Sequence, residues 1–255
     1  MSSGIKTKMK NKKAQITIFI AIAIVLVVSI GGYFIVKNQA EKQATENISP
    51  RAQVEAVVKQ CLDENLLEAV LAFGFQGGYI TPPSEYYEVN IEYISSGIGY
   101  SYYRGKNNFL TTKEAEEQIS GYIDHATPSC LNQSQFAGFS ISPGEAKSTT
   151  LMGDEEVSTN LNFPITITKE NSTYKLETFS SSVPVRLGEI HSFAEGIINR
   201  TIQNPGFVPI DYLLNSGYNV SYSVGEDGTI FYTIMDDKST IYETPYIYFL
   251  ATKSE

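Results

Sequence analysis

Val157-Ser158-Thr159-Asn160-Leu161-Asn162-Phe163-Pro164-Ile165-Thr166-Ile167 sets one residue class against another at every second position. Val157, Thr159, Leu161, Phe163, Ile165 and Ile167 share one phase, and their neighbours are polar apart from Pro164. A period of two over this length predicts a β-strand with one face in a core. Glu170-Asn171 then predicts a turn into Thr173–Thr178, so the unit reads as a hairpin. Proline cannot donate to a sheet ladder, so Pro164 predicts that its strand lies at a sheet edge.

Downstream of the hairpin the period changes. Leu187, Ile190, Phe193, Ala194, Ile197, Ile198 and Ile202 recur at three- and four-residue spacing, which predicts an amphipathic helix stopped by Asn204-Pro205-Gly206. The tail predicts strands near Tyr218–Val224, Thr229–Met235 and Ile241–Leu250, with turns at Gly225–Gly228 and Asp236–Ser239. Upstream, Ser49-Pro50 reads as a helix cap followed by proline at the first helical position. Val54, Val57, Val58, Cys61, Leu62, Leu66, Val70 and Phe73 continue that helix to Gly74. Gly77-Gly78 and Pro82-Pro83 predict a rigid loop. Tyr86–Ile94 and Ile98–Arg104 read as strands joined to a turn at Gly105–Asn108. Thr111-x-x-Glu114 is a capping box. It opens a helix through Ala115, Ile119, Tyr122, Ile123 and Ala126 that ends near Pro128. The expected class is α+β, with amphipathic helices packed on a mainly antiparallel sheet, preceded by an N-terminal transmembrane helix.

That membrane helix is read from Ile16–Val36, in which no side chain is charged. A helix of this length spans roughly 30 Å, the thickness of a bilayer's hydrocarbon core. Its β-branched residues disfavour a helix in water, but lipid forces internal hydrogen bonding. Tyr33 stands near one end, where aromatic residues suit the interface. A cleaved secretory peptide fits poorly, because Ala21 and Ala23 come too early and Gly31-Gly32 lacks an Ala-x-Ala pattern.

The formal net charge of −9 conceals an asymmetry. Lys6, Lys8, Lys10, Lys12 and Lys13 precede the apolar run, and no Asp or Glu occurs before Glu41. Residues 38–255 hold 13 Lys and Arg against 28 Asp and Glu, so the body carries −15. Positive flanks stay inside. The expected layout is a basic cytoplasmic arm (1–15), the membrane segment (16–36), a stalk (37–49) and an exported domain (50–255). A division of that domain into 50–140 and 141–255 is left open. The expected location is the cell membrane, single-pass, with the N-terminus cytoplasmic and the C-terminal domain extracellular.

Lys12-Lys13-Ala14-Gln15-Ile16-Thr17-Ile18-Phe19 resembles the class III signal of archaeal type IV pilin-like proteins. In that family a basic stretch ends in Gly or Ala, then Gln, then the hydrophobic helix. The resemblance implies processing between Ala14 and Gln15, with the helix kept as anchor or filament core. The glutamate that many pilins carry at the fifth position after the cut is replaced by Phe19. The whole chain resembles membrane-anchored surface proteins of archaea, a resemblance to which the Gln76–Ile80 stretch and the two cysteines add.

Cys61 and Cys130 both fall in the exported part and predict one disulfide, with two buried thiols as the alternative. Five Asn-x-Ser/Thr sequons, at Asn47, Asn132, Asn171, Asn199 and Asn219, are candidate glycan acceptors. Two histidines and two cysteines are too few for a zinc finger or ribbon, and no metal or cofactor is expected. The acidic balance excludes nucleic acid as the main partner. Gly97-Ile98-Gly99 leads into a strand and so fails the dinucleotide context. Glu226-Asp227 and Asp236-Asp237 lack the spaced oxygens of a calcium loop, and Glu155-Glu156 reads as a turn. His125 and His191 show no adjacent nucleophile and no Gly-x-Ser-x-Gly elbow, so no catalytic residue is assigned. The tyrosine clusters Tyr86-Tyr87, Tyr100–Tyr103 and Tyr242–Phe249 suit either ordinary sheet faces or contact surfaces.

The expected function is that of a single-pass, membrane-anchored extracellular structural or interaction protein, a pilin-like surface subunit. Its partners are the membrane and other surface or pilus-like proteins. The alternative is a surface binding module or an accessory subunit of a membrane complex, which a concave tyrosine-lined pocket would favour. A membrane-tethered hydrolase would need His125 or His191 to meet a serine or carboxylate in a cleft.

Overall fold

A computed structural model of the chain describes residues 49–91 and 94–255. The described part opens with helix α1 (Pro50–Phe75). From Leu66 onward it is apolar almost all the way round apart from Glu68, the pattern of a helix covered on several sides. Val54, Val58, Leu62, Leu66, Ala69, Val70 and Phe73 are fully buried. Helix α2 (Thr112–Ala126) starts with the capping box, in which Thr111 and Glu114 satisfy each other's backbone N–H. Helix α3 (Leu187–Gln203) and the single turn α4 (Ile210–Leu214) complete the α-helices among the described residues. Ile202, assigned by periodicity to the buried face of α3, is exposed, and Thr201 is buried in its place.

The described residues form two sheets. The first contains β1 (Tyr86–Ile91), β2 (Ile94–Tyr103), β3 (Lys106–Asn107), β8 (Asn219–Val224), β9 (Thr229–Ile241) and β10 (Thr244–Lys253). Their order is β1-β2-β10-β9-β8, with β3 paired to β2. The second contains β4 (Ser140–Pro143), β5 (Lys147–Met152), β6 (Val157–Lys169) and β7 (Ser172–Val183). Here β6 is central, with β7 on one side and β4 and β5 end to end on the other. Helix α1 packs on β7 and β6 of the second sheet and on β10 of the first, and buried residues of both sheets join one continuous core.

This corrects the expected fold class. The domain is rich in sheet, built as two sheets rather than one, and the first is mixed because β2 and β10 run parallel. Periodicity shows which face of a strand is buried, not which strand lies beside it. No helix among the described residues is long and apolar enough to cross a membrane. The expected arm, membrane helix and stalk, together with Ala14, Gln15 and Asn47, lie outside the described residues.

Two local expectations also change. Pro164 sits in the central strand, not at an edge. It falls where the β6–β7 register shifts and opposite the gap between β4 and β5, so its missing N–H breaks no ladder bond. Gly144 N–H donates to the Pro164 carbonyl at 2.7 Å. The expected turn at Asp236–Ser239 is a bulge inside β9, between the pairs Asp236–Tyr246 and Thr240–Pro245. The true β9–β10 turn is Tyr242-Glu243, both with positive φ (50° and 65°), as a tight two-residue hairpin turn demands.

The first sheet is open where β10 passes β2. They pair only at Ala251–Lys253. Beside that stretch, Gly99 N–H donates to the Gln76 carbonyl at 3.0 Å, and Gly74 abuts the Ile247 carbonyl. The chain leaving α1 therefore threads the mouth of the opening. Gly78 (φ +87°) has no room for a methyl group, since its Cβ would stand 2.2 Å from the Tyr248 hydroxyl.

The edge of β5 is closed by a helix. The N–H groups of Ser148, Thr150 and Met152 donate to the side chains of Asp124, Ser120 and Glu116, all on α2. Asp124 also holds Lys147 at 2.9 Å.

Candidate functional site: an aromatic crevice on the first sheet

The first sheet is apolar on both faces. On β9, Ile230, Tyr232 and Ile234 point into the core, and on β10 so do Tyr246, Tyr248 and Leu250. Phe231 and Phe249, in the opposite phase, belong to a separate cluster with Ile98, Tyr100 and Ala251. Among the described residues, no helix packs on this second face over Phe231. Ring contacts run along it from Phe75 to Phe249 (5.7 Å), on to Phe231 (5.2 Å) and then to Tyr87 (6.3 Å).

Tyr87 and Phe231 stand on β1 and β9, three strand spacings apart, or roughly 14 Å in a flat sheet. Their rings meet because the face curls and both side chains lean inward. Between them lies a crevice of about 270 Å³, lined by Tyr87, Ile98, Phe231 and Phe249, with Ser223, Val224, Gly225 and Thr229 on the β8 side. Such a volume is at the small end for ligand pockets and suits one or two side chains. Thr229 is already engaged: Asp227 accepts from its N–H and hydroxyl, and its hydroxyl also meets that of Tyr100 at 3.0 Å. Asp227 is held at about 2, first by its bond from Lys253 and then by those from Thr229. The crevice thus offers apolar rings and little free polarity.

Two other grooves flank α1. One is polar, with Lys59, Glu156, Asn160 and the Ser180–Ser182 run. The other lies between Ala52, Glu55, Ala56 and Lys59 of α1 and Thr178–Ser180 of β7. Ile202, Phe207, Ile210 and Leu214 are exposed around the C-terminal end of α3 and α4.

The residues singled out from sequence fall as follows. Cys61 and Cys130 are bonded to each other, with Cα atoms 6.3 Å apart. Asn132, Asn171 and Asn219 are exposed, and so are Ser134, Thr173 and Ser221, which complete their sequons. Asn199 is exposed on α3, but its Thr201 is buried and donates to the Ile197 carbonyl. Glu226 is exposed in the β8–β9 turn, and Glu155 lies in an exposed turn beside Glu156. No cluster of metal-binding side chains occurs among the described residues. Asp236, expected in a turn, is 2% exposed and bonded by Arg186 and Ser239.

His125 is on the exposed side of α2. His191 is 2% exposed, between the rings of Phe109 (4.6 Å) and Phe73 (6.2 Å). Neither bonds a serine or carboxylate among the described residues. Burial pushes the His191 pKa down to about 4, against a smaller upward pull from its bond to the Leu110 carbonyl. The unfolded chain therefore takes up this proton first as pH falls. The contribution of His191 to stability is complete above about 6.5 and is lost as pH drops toward 4, by about 3 kcal/mol in all. Urea unfolding at a series of pH values should show this slope, and His191→Leu should flatten it between pH 6.5 and 5. An unchanged slope in the variant counts against the assignment.

Tyr87 and Phe249 belong to clusters visible in the sequence, whereas Phe75 and Phe231 do not. The sign for Phe231 was present: Thr229–Met235 is apolar in both phases, as a strand covered on both faces would be.

No family model matches the chain, and neither does any curated protein or any solved structure at a significant level.

Proposed function

We propose that this chain is a single-pass, membrane-anchored surface protein whose exported domain binds a partner through the aromatic crevice. The observation that carries the reading is the crevice itself, an uncovered apolar hollow on a body that carries 28 acidic side chains. Apolar rings gathered at a surface hollow are the usual lining of a binding site. It lies near the Phe75 end of α1, while the domain begins at the Pro50 end; 26 residues of helix separate the two by roughly 39 Å.

Support for the anchor comes from the sequence. Ile16–Val36 is uncharged, five lysines precede it, and the acidic residues follow it. The likeness of Lys12–Phe19 to a class III signal favours processing between Ala14 and Gln15, and with it a pilin-like origin for the N-terminus. A filament subunit is the second reading, and that likeness is what favours it. We assign no catalytic role, no cofactor and no nucleic-acid partner.

Two measurements test the proposal. Mass spectrometry of the mature N-terminus should find Gln15; an intact Met1 rejects the pilin-like processing. Protease added to intact cells should remove residues from about 50 onward, and complete protection of the domain rejects its export.

A further inference from the structure

Among the described residues, the crevice opens beside a sheet edge with no guard. Edge strands carry unpaired N–H and C=O groups that natural proteins block with charge, proline, bulges or covering elements. In this domain β5 is closed by the three α2 side chains. β4 has four residues and ends in Pro143. β7 carries Lys175 and Glu177, and α1 runs along it, with Ser181 donating to Asp63. β1 carries Glu88.

β8 differs. Asn-Val-Ser-Tyr-Ser-Val has no charge and no proline, and it pairs with β9 alone. Among the described residues no side chain bonds its outward backbone groups. Tyr222 and Val224 are exposed, at 46% and 60%. Ser223 and Val224 of this strand form one wall of the crevice.

We propose that β8 is a docking strand. An extended, uncharged segment of a partner protein adds to its open edge and seats an aliphatic or aromatic side chain in the crevice. Main-chain hydrogen bonds supply affinity, and the crevice selects the side chain, the usual division of labour in strand addition. Its small volume suits a single side chain. A second copy of this chain fits poorly. Antiparallel self-pairing of β8 about a twofold axis brings only Asn219, Ser221 and Ser223 to the crevice face, because these share the phase of Phe231. Those polar residues leave the rings uncovered, so the partner is a different strand with apolar residues at alternate positions.

This inference rests on the crevice being a binding site, and the experiment separates the two. A displayed library of random ten-residue peptides is panned against the full chain in lipid nanodiscs. The recovered peptides are expected to be uncharged at their centre and apolar at every second position. N-methylation at alternate backbone nitrogens of the best peptide should weaken it about tenfold or more, by removing its donors. Tyr222→Lys on the exposed edge, outside the crevice lining, should weaken it similarly, and so should Phe231→Ala in the crevice. Peptides that depend on Phe231 but bind equally when N-methylated overturn the docking strand and leave the crevice as the binding site. Peptides indifferent to Phe231→Ala, or none recovered, overturn both. Self-association of the full chain that Tyr222→Lys abolishes assigns the edge to a second copy instead. Asn219 opens β8 within a sequon, so a glycan on every mature molecule at that position also overturns the proposal.

Discussion

Cys61→Ala/Cys130→Ala is expected to lower the unfolding free energy of the domain by about 4 kcal/mol, the chain-entropy value for a loop of this length. The bridge spans 69 residues. It ties the middle of α1 to the short 3₁₀ turn Thr127–Cys130 that follows α2. Without it the unfolded chain regains the freedom of that loop, while the folded state keeps most of its contacts there. Asn65 still donates to the Thr127 hydroxyl at 3.2 Å, and Ile119 and Ile123 of α2 stay in the core. The loss should therefore appear as an earlier urea midpoint rather than as a failure to fold. Reduction of the natural chain should give the same shift as the double variant. An unchanged midpoint on reduction would show that the bridge contributes nothing.

Asp236→Ala is expected to cost about 3–5 kcal/mol. Asp236 is 2% exposed in the β9 bulge, and Arg186 stands between the end of β7 and the start of α3. The guanidinium donates to both carboxylate oxygens, at 3.1 and 2.7 Å. Ser239 and the Lys238 N–H donate to the same carboxylate. Burial works to raise the Asp236 pKa, but these donors outweigh it and hold the carboxyl below its ordinary 3.8. The pair thus fastens the exit of the second sheet to the middle of the first. Removing the carboxylate strands Arg186, which retains Glu189 at the surface. Arg186→Met/Asp236→Leu should recover much of the loss, because replacing a buried pair with apolar groups is often neutral. A double variant whose loss equals the sum of the losses of the two single variants would show that the pair is not coupled. The linkage has a defined sign. The stability supplied by ionised Asp236 is present above the unfolded value and falls away as pH drops below 3.8 toward the lowered folded value. This lies beneath the range in which His191 acts.

Much of this architecture was readable without coordinates, and the failures share a cause. The period of Val157–Ile167 located β6, and its burial alternates as expected from Val157 to Ile167. Thr111 and Glu114 located the start of α2, because capping is local chemistry between residues three apart. Pro164 misled because a rule about ladder hydrogen bonds was applied without knowing where the neighbouring strands end. Asp236 misled because a polar run looks the same whether it turns at the surface or bulges into a buried ion pair. The crevice was half legible. Tyr86-Tyr87 and Tyr242–Phe249 flagged aromatic strands, but their meeting with Phe231 depends on the order β1-β2-β10-β9, a matter of long-range pairing.

The seal on β5 also fixes how long that strand can be. Glu116, Ser120 and Asp124 are four residues apart on a helix, a rise of roughly 6 Å per step. Met152, Thr150 and Ser148 are two residues apart on a strand, roughly 6.8 Å per step. The two rulers slip by roughly 0.8 Å at each rung. Across three rungs, side chains of different reach, from serine to glutamate, absorb the difference. A fourth rung, four residues further along α2, would fall on Thr112, its first residue, or on Pro128, beyond its last. The seal therefore matches a strand of about six residues, the length of β5 from Lys147 to Met152.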